Sequence, residues 1–345
     1  MIPPGFKNGD GLLVVIDFSW WLNLAVRVGG VEGMLSIVVG KFCDLLRGEC
    51  PSHLAVAVDS VGPTWRHELY SEYKAGRDPK PPGFTELSTQ ALQIVRLHGV
   101  PILYAEGWEA DDVMAAAVHR ARAARLRVAI LSVDKDLGQL VGADCVLWDG
   151  KDDVRGPAEI AANPKHPVAP ELLVDLLAIT GDAGDNVPGV EGLGPVAAGE
   201  LLTIYGSLER ALTVNLTPPT DEEYQALVRA RDKARRSGAR DTAEKENLVE
   251  DAQVRRRLGK NLSKLHAGRE QLLLSRRLVQ LDADAPIRFD LGELAVGGYE
   301  VEALKRLYLQ LGFHRLAAEL RPCPKASWSP PPSPRTTGPV AGEEI

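Results

Sequence analysis

The sequence predicts an α/β fold, a mostly parallel central sheet with helices on both faces, followed by a helical region. Three observations lead there. Short unbroken apolar runs alternate with longer amphipathic stretches through the first half of the chain. Strand-like runs stop near Ala169. The residues that follow the apolar runs are acidic, as expected where ligands gather beyond the carboxyl ends of parallel strands.

Each element follows from its pattern. Leu12 to Ile16, Leu54 to Val58, Pro101 to Tyr104, Val128 to Ser132 and Cys145 to Trp148 are too short for helices and too continuously apolar for half-exposed strands, so they read as buried strands. Between them, Val31 to Leu46, Glu86 to Leu97 and Glu109 to Ala124 place apolar residues at helical spacing. Such βα alternation calls for a parallel sheet. Residues 1–168 therefore form the α/β core, and residues 169–321 the helical region. Within the latter, Pro218 to Glu250 is highly charged and nearly free of β-branched residues, which suits exposed helices or a mobile insertion spanning about 215–257. Residues 322–345 turn to Pro, Ser and Gly and read as a disordered tail.

Composition sets the outer bounds. Cys43, Cys50, Cys145 and Cys323 form no C-x-x-C pair, which argues against a zinc site or a disulfide framework and for a reducing, cytoplasmic setting. No run approaches the ~18 apolar residues of a membrane span, and the N-terminus lacks a signal-peptide core. A monomer without membrane association is expected. The net charge of −7 by itself argues against a polyanionic partner. Its distribution argues otherwise, because Arg and Lys crowd the stretch from Arg229 to Arg277.

The acidic residues carry the chemistry. Asp17 follows the first strand, Asp59 the second, Glu109 with Asp111 and Asp112 the third, and Asp134 with Asp136 the fourth. One such residue is most simply a helix cap. Four strands ending this way bring the carboxylates to one sheet edge, where they repel unless cations lie between them. Asp182 and Asp185, at i and i+3, add two more on one face of a turn. Oxygen ligands of this kind select Mg²⁺ or Mn²⁺, and two such ions roughly 3.5–4 Å apart suit in-line hydrolysis of a phosphodiester.

The run Asp182-Ala-Gly-Asp185-Asn186-Val-Pro-Gly189-Val-Glu-Gly192-Leu-Gly194 resembles the signature of the flap endonuclease family, which includes the 5′-3′ exonuclease domain of bacterial DNA polymerase I and the phage 5′-nucleases. Trp65-Arg66 to Tyr73-Lys74-Ala-Gly-Arg77, Gly107-Trp-Glu109-Ala-Asp111-Asp112 and Ser132-Val-Asp134-Lys135-Asp136-Leu-Gly-Gln139 fall in that family's order, and the likeness runs over residues 10–320. The resemblance implies a structure-selective 5′-nuclease of replication or repair with a PIN-like core and two Mg²⁺ ions. It puts Asp17, Asp59, Glu109 and Asp111 in one site, Asp134, Asp136, Asp182 and Asp185 in the other, and Asp112 between them. It implies a helical arch near 64–98, with Lys74 and Arg77 toward the scissile phosphate, Tyr73 stacked on a base and Arg66 toward DNA. A helix-hairpin-helix near 186–206 would grip the duplex backbone through Gly189, Gly192 and Gly194, with K⁺ held by its carbonyls. The implied partner is DNA with a 5′ flap, overhang or nick, including RNA-primed ends.

Three features depart from that pattern. Asp17 is followed by Phe18 and Trp20-Trp21, and Leu24 stands where the family carries Arg, with Arg27 the nearest substitute. Pro195-Val196-Ala197 replaces a basic residue and a Thr after the hairpin. The charged insertion is longer than expected, and no polymerase region follows, so a freestanding nuclease is the expectation.

Overall fold

A computed structural model describes residues 2–6, 11–46, 51–237, 241–297, 299 and 301–321. The expected tail over residues 322–345 lies outside them. The sheet has six strands, β1 (Leu12–Asp17), β2 (His53–Ala57), β3 (Ile102–Leu103), β4 (Arg127–Leu131), β5 (Cys145–Trp148) and β6 (Val154–Arg155), in the order β3-β2-β1-β4-β5-β6. All neighbours run parallel except β5 and β6. The two-residue β6 was not foreseen, because so short a segment carries no readable period.

The first five helices lie within and just after the sheet. They are α1 (Phe18–Leu45), α2 (Trp65–Leu69), α3 (Phe84–Leu97), α4 (Ala110–Ala123) and α5 (Pro157–Ala161). Every residue of β1 is buried, and its side chains divide by alternation. Leu12, Val14 and Ile16 pack with Trp21, Phe42, Ile94 and Val95 of α1 and α3, whereas Leu13 and Val15 pack with Val113, Met114, Ala117 and Val118 of α4. This two-sided cover explains why the strands read as unbroken apolar runs.

Among the described residues one helix is long and apolar enough to cross a membrane, against expectation: α1, with a mean hydropathy of 1.5. It is interrupted at Gly30 (φ 67°), and Phe18, Trp21, Leu22, Met34, Val38 and Phe42 pack inward against the sheet and α3. The sequence hid it because Arg27 and Glu32 divide the run.

The rest of the chain is helical: α6 (Leu173–Thr180), α7 (Pro195–Tyr205), α8 (Leu208–Thr213), α9 (Asp221–Ser237), α10 (Thr242–Ala267), α11 (Arg269–Val279), α12 (Val301–Gln310) and α13 (His314–Glu319). A second core joins α6, α7, α8, α10 and α11 through Leu176, Ile179, Leu201, Leu202, Leu262, Leu265 and Leu272. The charged insertion is a helical hairpin of α9 and α10, and the second half of α10 is anchored in that core by Leu258, Leu262 and Leu265. The last two helices return to the sheet, where Leu304, Tyr308 and Ala317 join the cluster beneath α1 and α3.

The stretch 64–98, expected as an arch, holds α2, a run of turns and α3. Its second half is α3, a core helix whose Phe84, Ala91, Ile94 and Val95 are buried. Its first half is α2 followed by turns that are tied down by the Lys74 amide, which donates to the Asp185 carbonyl at 2.9 Å. Only residues 75–83 form a continuously exposed stretch.

Candidate active site

The sheet places the site. β1 lies between β2 and β4, so the chain leaves it to one side and later returns to the other, which makes its carboxyl end a topological switch point. Asp17 ends β1 in register with Ala57, and Ile16 pairs with Leu131, so residues just past β1, β2 and β4 meet. Asp17 caps α1, with Oδ1 accepting from the Trp20 amide at 2.9 Å, while Ser132 Oγ donates to Oδ2 at 2.9 Å. Asp59 is exposed and accepts from Ser19 Oγ at 2.5 Å and from the Ala110 amide, at the start of α4, at 2.9 Å. Capping and convergence coexist here, because the helix N-termini point their amides at the same edge.

Glu109 precedes α4 but does not cap it with its side chain. Its carboxylate instead accepts from Lys74 Nζ at 2.5 Å, Tyr73 Oη at 3.0 Å and an Arg66 guanidinium N–H at 3.1 Å. Asp111, in the first turn, points to the cluster. Burial holds its pKa well above the ordinary 3.8, and repulsion from Asp134 and Asp17 adds to this. Burial likewise raises Asp17 to about 7, with Asp59 and Asp134 contributing, although the Trp20 and Ser132 hydrogen bonds oppose the rise.

Three expected site residues are buried in ion pairs and hydrogen bonds of the fold. Consecutive helical residues are about 100° apart, so Asp111 and Asp112 cannot both face the cluster. Asp112 is fully buried, and both its oxygens accept from Arg66, at 2.6 and 2.8 Å, besides contacts from the Trp65 indole and the Asp282 amide. It has no lone pair turned to the site. Arg66, expected on DNA, is 1% exposed and also donates to the Leu278 and Gln280 carbonyls, clamping α2 to the end of α11. Burial disfavours its charge, but Asp112 and Glu109 outweigh that and raise its pKa. Tyr73, expected to stack on a base, is 4% exposed, lies edge-on to His67 and donates to Glu109 and Asp185.

The second group of carboxylates comes from two directions. Asp136, Asp182 and Asp185 each bring an oxygen to within 4.8 Å of the others. Asp182 and Asp185 sit on the loop between α6 and α7, closed by a bridge between Asp182 and Val187 and by the Val190 amide on the Ile179 carbonyl at 2.7 Å. Two glycines permit this closure. A Cβ on Gly189 would meet Thr180 backbone atoms at 2.4 Å, and Gly181 has φ 71°. Gly189 therefore shapes the loop. Gly194 is the N-cap of α7, and the Gly192 carbonyl, expected beside K⁺, accepts from Lys264 Nζ at 2.9 Å.

The donor set fits a divalent cation. Asp136 Oδ1 is buried without a hydrogen bond, its nearest cation being Lys135 Nζ at 3.3 Å. Burial raises Asp136 to about 7, and repulsion from Asp134 adds to this. Asp134 is exposed beside it, with Oδ1 accepting from the Asp136 amide at 3.0 Å. Unpaired carboxylate oxygens crowded at partial burial are what hard cations neutralise.

Lys74 and Arg77 link the two groups. Lys74, at φ 57°, sets Nζ 2.5 Å from Glu109 and 3.7 Å from Asp185, and Arg77 donates to Asp185 at 2.5 Å. Although burial alone would raise the pKa of Asp185, these two cations hold it below the usual carboxylate value. Sequence reasoning missed Ser19, Ser132 and Lys135 as site residues. Lys135 Nζ contacts Asp182 at 2.6 Å, and the one available signal was its place between two carboxylates in the motif. Arg27, the substitute considered for the lost Arg, is exposed on α1.

Comparison with known proteins agrees with this geometry. Residues 24–164 match the model of the 5′-3′ exonuclease N-terminal resolvase-like domain, and residues 168–302 match that of the 5′-3′ exonuclease C-terminal SAM fold. The chain is 37% identical to a 5′-3′ exonuclease of Aquifex aeolicus over 169 residues, 49% of this chain and 58% of that protein. It is 34% identical to DNA polymerase I of Rhizobium leguminosarum over 306 residues, 84% of this chain and 26% of that protein. It thus spans about a quarter to a third of the length of the polymerase relatives. Among solved structures, T5 5′-exonuclease with divalent metal ions (zinc) bound superposes with a TM-score of 0.60 at 19% identity, over 78% of this chain and 89% of that one. The catalytic core of Rad2 in complex with DNA substrate superposes at 0.53 and 14%, over 90% of each chain. Asp59, Glu109, Asp111, Asp134 and Asp136 lie within the first matched region and the α6–α7 loop within the second, and the chain belongs to the 5′-3′ exonuclease family.

Proposed function

We propose that the protein is a structure-selective 5′-nuclease that hydrolyses DNA phosphodiester bonds with two divalent cations, Mg²⁺ or in its place Mn²⁺. The observation that carries this is the meeting of carboxylates from two halves of the chain. Asp17, Asp59, Glu109 and Asp111 belong to the sheet edge, and Asp136, Asp182 and Asp185 to the adjoining loop, with Asp134 between. Bound there, divalent cations supply an ionised water at neutral pH and neutralise charge building on the phosphate.

The chain's own groups do the rest. Asp17, Glu109 and Asp111 are held by Ser132, Tyr73 and the start of α4, so the donor atoms are pre-positioned before substrate arrives. Lys74 and Arg77 stand beside both groups as the cations available to a phosphate seated on the cluster. Their charges gain most when negative charge accumulates on the phosphoryl oxygens. Recognition through backbone contacts fits an enzyme that selects DNA with a 5′ flap, overhang or nick, including RNA-primed ends, by shape. We further read the protein as a cytoplasmic monomer, in keeping with four scattered cysteines whose spacing suggests neither a disulfide framework nor a zinc site.

The test is a 5′-labelled flap substrate incubated with Mg²⁺, with wild type and Asp111→Asn compared in single turnover. Wild type should release short 5′ products. The Asn variant should cut at least about 100-fold more slowly while binding DNA as well or better, since it loses a ligand and one negative charge. Near wild-type cutting by the variant, or no cutting by wild type, would overturn the reading.

A further inference from the structure

The family position that carries a basic residue and a Thr after the hairpin is apolar in this chain. The first turn of α7 is Pro195-Val196-Ala197, and α7 contains no basic residue. Pro195 has no amide to offer, and Val196 is 77% exposed. A duplex laid against this turn would meet a methyl surface where phosphate calls for cations.

The cations stand next door, on α10. Its second half, residues 252–267, carries Arg255, Arg256, Arg257, Lys260 and Lys264 and no acidic residue. Leu258, Leu262 and Leu265 fix which face of this half-helix is buried. Arg257, Lys260 and Lys264, at i, i+3 and i+7, form one stripe beside that face. The stripe is aimed at α7 and its loop by two contacts. Lys264 Nζ donates to the Gly192 carbonyl at 2.9 Å, and the Arg257 guanidinium pairs with Glu200 of α7. Lys260 lies between them, exposed and without an ion pair among the described residues. By contrast, Arg231, Arg235, Arg255 and Arg256 pair with acidic residues of the α9–α10 hairpin itself. Lys260 and Lys264, without a carboxylate partner among the described residues and on a helix tied to the hairpin loop through the Gly192 carbonyl, are ready phosphate contacts, with the Glu200-paired Arg257 beside them.

We propose that the Arg257, Lys260 and Lys264 stripe of α10 grips the backbone of the substrate's duplex arm, in place of the first turn of α7. This rests on the nuclease reading above and adds to it the surface that holds the duplex. The extra length of the charged hairpin then has a use: it buttresses the helix that presents the stripe. The same loop carries Asp182 and Asp185 at its other end, so a duplex held here is registered against the carboxylates.

The test is single-turnover cutting of a 5′-flap duplex with Mg²⁺, titrating enzyme across a salt series to obtain the half-saturating concentration and its salt slope. The variant is Lys260→Gln with Lys264→Gln. Gln at 264 still offers an N–H to the Gly192 carbonyl, and an unchanged melting temperature verifies that the hairpin is intact. Each lost phosphate contact removes about 0.9 from the log-log slope. We expect the slope to fall by roughly two units, half-saturation at about 0.1 M salt to rise roughly tenfold or more, and the maximal rate to fall no more than about twofold. Adding Val196→Lys should restore roughly one unit of slope. Unchanged half-saturation and slope in the double variant, with wild type cutting normally, overturn the inference alone. An equal loss on a single-stranded 5′ oligonucleotide also overturns it, because the grip would then not be on duplex. Failure of wild type to cut the flap would bring down the nuclease reading and this inference together.

Discussion

Asp111 and Asp112 are neighbours in sequence with opposite tasks, and the difference is electrostatic. Asp112 meets a buried guanidinium with both oxygens, so its charge is compensated in the fold. Asp111 is surrounded by Asp134, Asp17 and Glu109, with Lys74 opposing them, so its charge works against the metal-free fold. Asparagine at the two positions should therefore act in opposite directions on stability. Asp112→Asn removes the bidentate counter-charge of buried Arg66 and leaves it only Glu109, and should cost about 3 kcal/mol in denaturant unfolding. Asp111→Asn should raise metal-free stability at pH 8 while abolishing cutting. Equal destabilisation by the two variants would show that Asp112 is not the structural one. The sequence motif made both residues ligand candidates. Only the helical turn separating their faces, and Arg66 arriving from α2, divided them.

At the scale of elements, the α6–α7 loop decides whether two halves of a site become one. The loop must cross its own backbone at Gly181 and Gly189 to bring Asp182 and Asp185 against Asp136. Gly189→Ala would force a methyl into Thr180 backbone atoms that cannot yield as a side chain would. The expected cost is about 1–3 kcal/mol in stability, with a larger proportional loss of Mg²⁺ affinity measured by calorimetry. A variant with wild-type metal affinity would mean that the loop holds its shape without this crossing. The two carboxylates at i and i+3 were legible in the sequence, and so was the glycine pattern. The purpose of the glycines was read differently, as DNA contact, because close backbone approach and exposure look alike in a string of letters.

For the whole molecule, the carboxylate cluster couples stability to pH and to metal. Asp17 and Asp136 have folded-state pKa values of about 7, above the ordinary 3.8, with burial the leading cause in each. Between those values the folded state holds more protons than the unfolded chain, so stability falls as pH rises. The metal-free protein should therefore be more stable at pH 5.5 than at pH 8, by more than about 1 kcal/mol. Mg²⁺ should narrow that gap from the alkaline side, because cations bind the ionised form and displace its protons. Denaturant unfolding at both pH values, with and without Mg²⁺, tests this. A metal-free protein more stable at pH 8 would remove the basis for a repulsive cluster.

By itself the sequence determined the strand and helix order and the edge of the sheet where chemistry gathers. Apolar runs that must be buried on two faces leave few alternatives, and the residues ending them are carboxylates. It also determined family membership, through motifs whose order survives wide divergence. Only the tertiary structure decided which charged groups face the site and which brace it. Arg66 and Tyr73 read as exposed substrate contacts, yet they are buried partners of Asp112 and Glu109. The structure also shows a core helix in the second half of the stretch read as an arch, and a hairpin whose inner helix is anchored by leucines in the charged insertion. The physical reason is common to all of these. Burial on a strand or helix is set by local periodicity, which a sequence displays, whereas the pairing of a charge is set by whichever distant residue folds against it.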